Sequence, residues 1–261
     1  MSAAGPRDVD AALDAVATRI ARGDLRAVAW HRSNFIGHRR RYAHDLALIC
    51  ALGDASSPVL DVGCAPAHFA AALSGLGRSV VGVDAAPDRV SDLAAAFGIE
   101  IRRCDIERER LPWPDGSFRL LVCAETIEHL RVDPLFALSE MNRVLAPDGI
   151  LLLSTPNLYS LPNILRFMLG RSIADPLSEF AKLRLIGHMG HVREYSTREI
   201  VRMLRAFGFA IESVTYDHYG PKHTRRGRIA RIAFTVVPRR FRTTQTLLAR
   251  KRQRLNALDP L

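Results

Sequence analysis

The side chains best suited to chemistry stand in one short run, Cys123-Ala124-Glu125-Thr126-Ile127-Glu128-His129-Leu130, and in a later passage, Gly187-His188-Met189-Gly190-His191. Taken as one helical turn, the run places Glu125, Glu128 and His129 at i, i+3 and i+4 on a single face. Two carboxylates and an imidazole converging there can hold a divalent cation or act as a general base, with Glu128 and His129 as the catalytic pair. The same groups could instead form a structural hydrogen-bond network. A second set of candidates lies upstream, in Asp61-Val62-Gly63-Cys64-Ala65-Pro66-Ala67-His68. Gly63 can take backbone angles closed to other residues, and Cys64, Ala65 and Ala67 are small enough for a ligand to approach the main chain. Asp84, 23 residues after Asp61, suits a carboxylate accepting hydrogen bonds from ribose hydroxyls, and Asp105 adds another acid at the same rim. These features point to a nucleoside cofactor. A dinucleotide-dependent dehydrogenase stays open, although its GxGxxG fingerprint is missing.

Such residues meet only if alternating strands and helices bring loop ends together, and the pattern from Pro58 onward does alternate. Apolar runs at 59–62, 79–84, 99–104, 118–123 and 149–155 read as strands, with helices from about Ala67, from Pro87 to Phe97 and from Pro134 to Leu145. Strands apolar on both faces imply a parallel sheet covered by helices on each side. Two helical stretches precede it, about Asp8–Arg22 and Leu25–Ala51. After it come an irregular insertion from Pro156 to Tyr195, a helix from Thr197 to Phe207, a strand from Phe209 to Tyr216 and a last strand at 243–249. The expected organisation is a helical extension over 1–52, a core over 53–216 that includes the insertion at 156–195, and a basic helix with the final strand over 217–261.

The motifs VLDVGCAPAHFAAAL (59–73), VVGVDAAP (80–87), CDIERERLPWPDGSFRLLVCAETIEHL (104–130) and RVLAPDGILLLSTPN (143–157) occur in the order seen in class I S-adenosylmethionine-dependent methyltransferases, which this chain resembles from about Pro58 to Phe209. The resemblance implies a Rossmann-like α/β fold with a seven-stranded, mostly parallel sheet whose last strand is antiparallel, plus N-terminal helices and a lid-like insertion. It also implies S-adenosyl-L-methionine at the first turn, with Asp61, Gly63, Cys64, Ala65, Ala67 and Ala124 around it, its ribose on Asp84 and its adenine near Asp105 and Ile106. The family's turn usually carries two or three glycines. Here Ala65 and Ala67 replace the later ones, and alanine is small enough for binding to survive.

The ExxEH run, the TPN that follows and the HxxH-like stretch resemble metal-dependent O-methyltransferases of ubiquinone biosynthesis and small-RNA 2′-O-methyltransferases. By that likeness Glu125, Glu128, His129 and His191 would hold Mg2+, with His188 as a weaker candidate. The segments 155–172 and 190–209 resemble bacterial methyltransferases of cell-envelope polysaccharide and glycolipid synthesis. The expected activity is therefore O-methylation of a sugar, glycan or glycolipid acceptor. A catechol-like quinone precursor is the alternative acceptor, and a non-catalytic, membrane-associated regulatory protein the alternative of another class.

Composition sets the outer bounds. With 261 residues, 48% hydrophobic and 25% charged, the chain can bury a substantial core. No apolar run is long enough to span a bilayer, and acidic and basic residues interrupt the N-terminus, so a cytoplasmic protein with reduced thiols is expected. The net charge of +10 is concentrated: twelve basic residues and no acidic ones lie between Pro221 and Arg254. Ile229, Ile232, Ala233, Val236 and Val237 recur there at helical spacing, which reads as a basic amphipathic helix within 222–242. Its arginines could be merely solvated, or could meet an anionic membrane surface and place the protein at the inner leaflet. Nucleic acid fits poorly, because aromatic residues make up only 7% of the chain and no accessory binding domain is evident.

Overall fold

The computed structural model describes residues 6–53, 57–175, 190–219 and 234–253, together with positions 177, 179, 181 and 184. In chain order the elements are α1 (Pro6–Ala21), α2 (Val28–Ala51), β1 (Val59–Val62), α3 (His68–Gly75), β2 (Val80–Asp84), α4 (Ser91–Ala96), β3 (Glu100–Arg103), β4 (Phe118–Ala124), α5 (Pro134–Val144), β5 (Leu145–Pro156), α6 (Leu161–Met168), α7 (Thr197–Ala206), β6 (Phe209–Asp217) and β7 (Thr244–Lys251). The strands form one seven-stranded sheet in the order β3-β2-β1-β4-β5-β7-β6. β7 pairs antiparallel with both β5 and β6, while the pairs among β1 to β5 are parallel. Strand order reverses between β1 and β4, so the loops leaving these two strands open a crevice above the sheet.

Strand alternation assigns the two cores. Val59, Leu120, Val122, Ile150 and Leu152 face a cluster shared with α1, α2 and α3. Leu60, Leu121, Cys123, Leu151 and Leu153 face the opposite one, with Leu138 and Met141 of α5 and Ile200 and Leu204 of α7. Val9, Leu13, Val16 and Ile20 line one stripe of α1, at the spacing a helix needs to bury a single face. The N-terminal helices are thus built into the core layer. Helix α7 starts in a capping box, where the Ser196 side chain accepts from Glu199 N and the Glu199 carboxylate accepts from Ser196 N.

One expectation changes here. The stretch from Pro156 to Tyr195, read as irregular, contains α6. Pro162 sits in that helix's first turn, where a missing N–H costs nothing and the fixed φ favours initiation. The stretch expected as a basic amphipathic helix lies outside the described residues over 220–233. Of its remainder, 234–236 is helical and Arg239–Phe241 forms a 3-10 turn. Among the described residues, no helix is long and apolar enough to cross a membrane.

Candidate functional site

The β1 turn is shaped by backbone angles and close packing. Gly63 has φ +69°, and a Cβ there would stand 2.5 Å from Thr126 Oγ1, so both conformation and space demand glycine. Thr126 Oγ1 lies 3.2 Å from the carbonyl oxygens of Val62 and Ala124, which ties the turn after β1 to the turn after β4. Asp84, at the end of β2, accepts from Ala65 N at 3.2 Å through one oxygen and from Ala86 N at 2.8 Å through the other. Each carboxylate oxygen keeps a lone pair for a further donor, the arrangement that a ribose diol needs.

Above the turn lies a cleft of ≈ 560 Å³, and Gly63, Ala65, Asp84, Asp105 and Ile106 all line it. Asp105 is held by Glu107 N at 3.1 Å and Arg108 Nη1 at 2.7 Å. The other predicted cofactor residues sit behind this wall. The Cys64 sulfur fills the space beside Gly82 of β2, where a Cβ would lie 2.7 Å from it. Ala67 is fully buried at φ +64° and leads directly into α3. Asp61 is 3% exposed with one carboxylate oxygen unpartnered, and burial pushes its carboxyl up to about 7 against the pull of Arg41. Ala124 is half-buried at the end of β4 and does not line the cleft. A backbone cradle of small residues beneath a polar rim accommodates a nucleoside cofactor of the S-adenosylmethionine kind.

The ExxEH run departs from the expected helical turn. Glu125 has φ +53°, and the 3-10 turn begins only at Ile127. The consequence is a division of labour among its acids. Glu128, His129 and His191 each offer a donor atom, all within 4.8 Å of one another. Glu125 stands outside this group, lines the cleft, and has one carboxylate oxygen buried without a partner. Burial raises the Glu125 carboxyl, with Arg41 opposing. Glu128 is fully buried. One of its oxygens accepts from Thr155 Oγ1 at 2.9 Å and the other, unpartnered, lies 4.0 Å from His129 Nε2. His188 lies outside the described residues.

Both imidazoles are oriented from behind. His129 Nδ1 lies 2.8 Å from the Gly190 carbonyl, and since a carbonyl only accepts, Nδ1 carries the proton and Nε2 the lone pair. His191 Nδ1 lies 3.2 Å from the Glu194 carboxylate, which also accepts from Asn163 Nδ2 and raises the imidazole pKa. An orphaned carboxylate oxygen beside two imidazoles, each held at Nδ1, is a donor set of the kind that binds a divalent cation. On the far side of His129 opens a second cavity, of ≈ 610 Å³, whose walls include Asn163, Arg166, Glu179, Glu194 and Thr243. His129 lines this cavity and the cofactor cleft alike.

Sequence reasoning missed what α2 brings to the site. Trp30 and Asn34 line the cofactor cleft, and Arg41 is buried with two guanidinium nitrogens unpartnered. Glu125, Asp45 and Glu128 raise the Arg41 pKa, against its own desolvation. Buried Asp45 accepts from Thr246 Oγ1 of β7 at 3.2 Å and lies 3.8 Å from Arg41. The clue available in the sequence was an Arg and an Asp spaced i, i+4 on a helix that also carries apolar residues.

Residues 35–214 match the methyltransferase domain family. Over 192 residues the chain is 31% identical to a probable S-adenosylmethionine-dependent methyltransferase of Mycolicibacterium smegmatis, covering 73% of this chain and 63% of that protein. It therefore spans a little under two thirds of that relative's length. Over 195 residues it is 27% identical to a ubiquinone biosynthesis O-methyltransferase of Xanthomonas euvesicatoria, covering 70% of this chain and 77% of the relative. Among solved structures, an S-adenosylmethionine-dependent methyltransferase of Thermotoga maritima described as a possible histamine N-methyltransferase superposes with TM-score 0.60 at 19% identity, over 86% of this chain and 96% of that one, a likeness of fold. With the sheet order, the Gly63 turn and the matched residues together, the chain belongs to the class I S-adenosylmethionine-dependent methyltransferases.

Proposed function

We propose that the protein methylates a hydroxyl of a sugar, glycan or glycolipid, with the acceptor in the cavity lined by Asn163, Glu194 and Thr243. The observation that carries this reading is the position of His129 at the junction of the two spaces. A hydroxyl held beside its Nε2 faces the cofactor cleft directly. Asp84 and the Gly63 turn orient the nucleoside. Bound S-adenosylmethionine supplies the methyl group for in-line displacement. His129 Nε2 accepts the hydroxyl proton; were a divalent cation bound, Glu128, His129 and His191 would hold it and it would supply Lewis acidity to the acceptor.

The lining of the second cavity favours a hydroxyl-rich acceptor. Asn163, Glu194, Thr243 and Thr244 offer side-chain acceptors and donors, and Arg166 adds a cation to the described lining. Leu165, Phe167, Met168 and Leu169 stand exposed on and just after α6, beside Arg166. That apolar surface suits a lipid-linked acceptor presented at a membrane surface. A catechol-like quinone precursor is the second reading, favoured by the ubiquinone biosynthesis O-methyltransferases among the relatives.

Calorimetric titration with S-adenosylhomocysteine tests the cofactor half of the reading. Micromolar binding, lost in Asp84→Ala, is the expected result, and no binding by the unaltered protein would overturn it. Methyl transfer from labelled cofactor to glycan and catechol panels, with EDTA and then added Mg2+, tests the rest. Transfer that survives EDTA would assign His129 as a metal-free base.

A further inference from the structure

The aim of His129 depends on a residue far from it in sequence. We propose that Glu179 is a positioning residue for His129, acting through Gly190. The proposal rests on the functional reading above only in taking His129 as the reactive imidazole.

The Gly190 carbonyl accepts from His129 Nδ1 at 2.8 Å, and Gly190 N donates to Glu179 Oε2 at 2.6 Å. One residue thus transmits an orientation from a carboxylate to an imidazole. Glu179 is 8% exposed and stands in the wall of the second cavity, where its Oε2 is held by Gly190 N. The contact is close: a Cβ at position 190 would stand 3.0 Å from Glu179 Cδ and 3.1 Å from Oε1 and would run into Oε2, so the carboxylate would have to shift.

The neighbouring backbone separates aiming from mere attachment. Val192 N and Arg193 N both donate to the Glu128 carbonyl, at 2.8 and 3.2 Å, so the 190–193 segment is held to the ExxEH turn without Glu179. What Glu179 adds is the rotation of Gly190 that points its carbonyl at Nδ1. That contact selects the Nδ1–H tautomer and leaves the Nε2 lone pair facing Glu128 and the junction of the two cavities. Without it the ring can exchange tautomers and turn the wrong nitrogen toward the acceptor.

The test reads the tautomer directly. In nitrogen-15-labelled protein kept in EDTA, long-range proton–nitrogen spectra at a pH where His129 is neutral distinguish Nδ1–H from Nε2–H, with His129→Gln assigning the signal. The unaltered protein should show the Nδ1–H form. Glu179→Gln should keep it, because the amide oxygen still accepts from Gly190 N, whereas Glu179→Ala should shift His129 to a mixture or to the Nε2–H form. Gly190→Ala, which displaces the carboxylate without removing it, should do the same. An unchanged Nδ1–H signal in both alanine variants would overturn the proposal, as would an Nε2–H form in the unaltered protein. Because no acceptor is involved, either outcome is independent of whether the protein methylates a glycan.

Discussion

His31 Nδ1 lies 2.9 Å from His68 Nε2 where α2 meets α3, with both rings almost wholly buried. His68 follows directly on the Ala67 turn, and His31 is one residue beyond Trp30 in the cofactor cleft. The pair therefore fastens the helix that walls the cleft to the turn that floors it. One proton shared between two neutral rings satisfies the contact, and a second proton would place positive charge among Phe35, Tyr42 and Phe69.

Acid should loosen this contact. Burial, with His31 and His38 nearby, pushes the His68 pKa down to about 3 from 6.5. Below pH 6.5 the unfolded chain takes up a proton that the folded chain refuses, so stability falls as pH drops from 6.5 toward 3. At about 1.4 kcal/mol per pH unit, roughly 2 kcal/mol should be lost between pH 7.5 and 5. Urea unfolding at the two values measures it. His68→Asn should flatten the dependence, and a variant as steep as the parent would refute the assignment.

Gly63→Ala should cripple the cofactor site without unfolding the sheet. The substitution forces an L residue to φ +69° and drives its Cβ into Thr126. We expect a loss of about 1–3 kcal/mol in stability and at least a tenfold weaker affinity for S-adenosylhomocysteine. Affinity within a factor of two of the parent would show that the turn tolerates a side chain.

Cys64 and Gly82 should couple. Gly82→Ala places a Cβ 2.7 Å from the Cys64 sulfur, an overpacked contact between β1's turn and β2. A cost of about 1–3 kcal/mol is expected, and much of it should return in the double variant with Cys64→Ala. Additive effects in thermal unfolding would mean that the strain is relieved elsewhere.

Divalent metal should bind without the cofactor. Manganese titration followed by electron paramagnetic resonance should show a site in the parent that weakens at least tenfold in Glu128→Gln and His191→Ala. Glu125→Gln should weaken it less, because Glu125 lies outside the cluster of donors. No bound manganese in the parent would leave His129 as a general base alone.

The sequence by itself determined the sheet. Each strand read from the apolar runs is present, because a strand buried on two faces and a helix with one apolar stripe are local patterns. Gly63 and the acids at the strand ends were legible for the same reason: turn chemistry depends on a few adjacent residues. Tertiary contacts decided the rest. Glu125 N bonds the Ser154 carbonyl at 2.8 Å, so β4 keeps its pairing with β5 past Ala124 and no helix can start where the ExxEH spacing predicts one. That long-range bond holds Glu125 in a left-handed conformation and separates it from Glu128 and His129. Likewise, nothing in the spacing of Trp30 and Asn34 announces the cleft. They reach it because α2 packs across α3, and such packing is set by the shapes of elements distant in the chain.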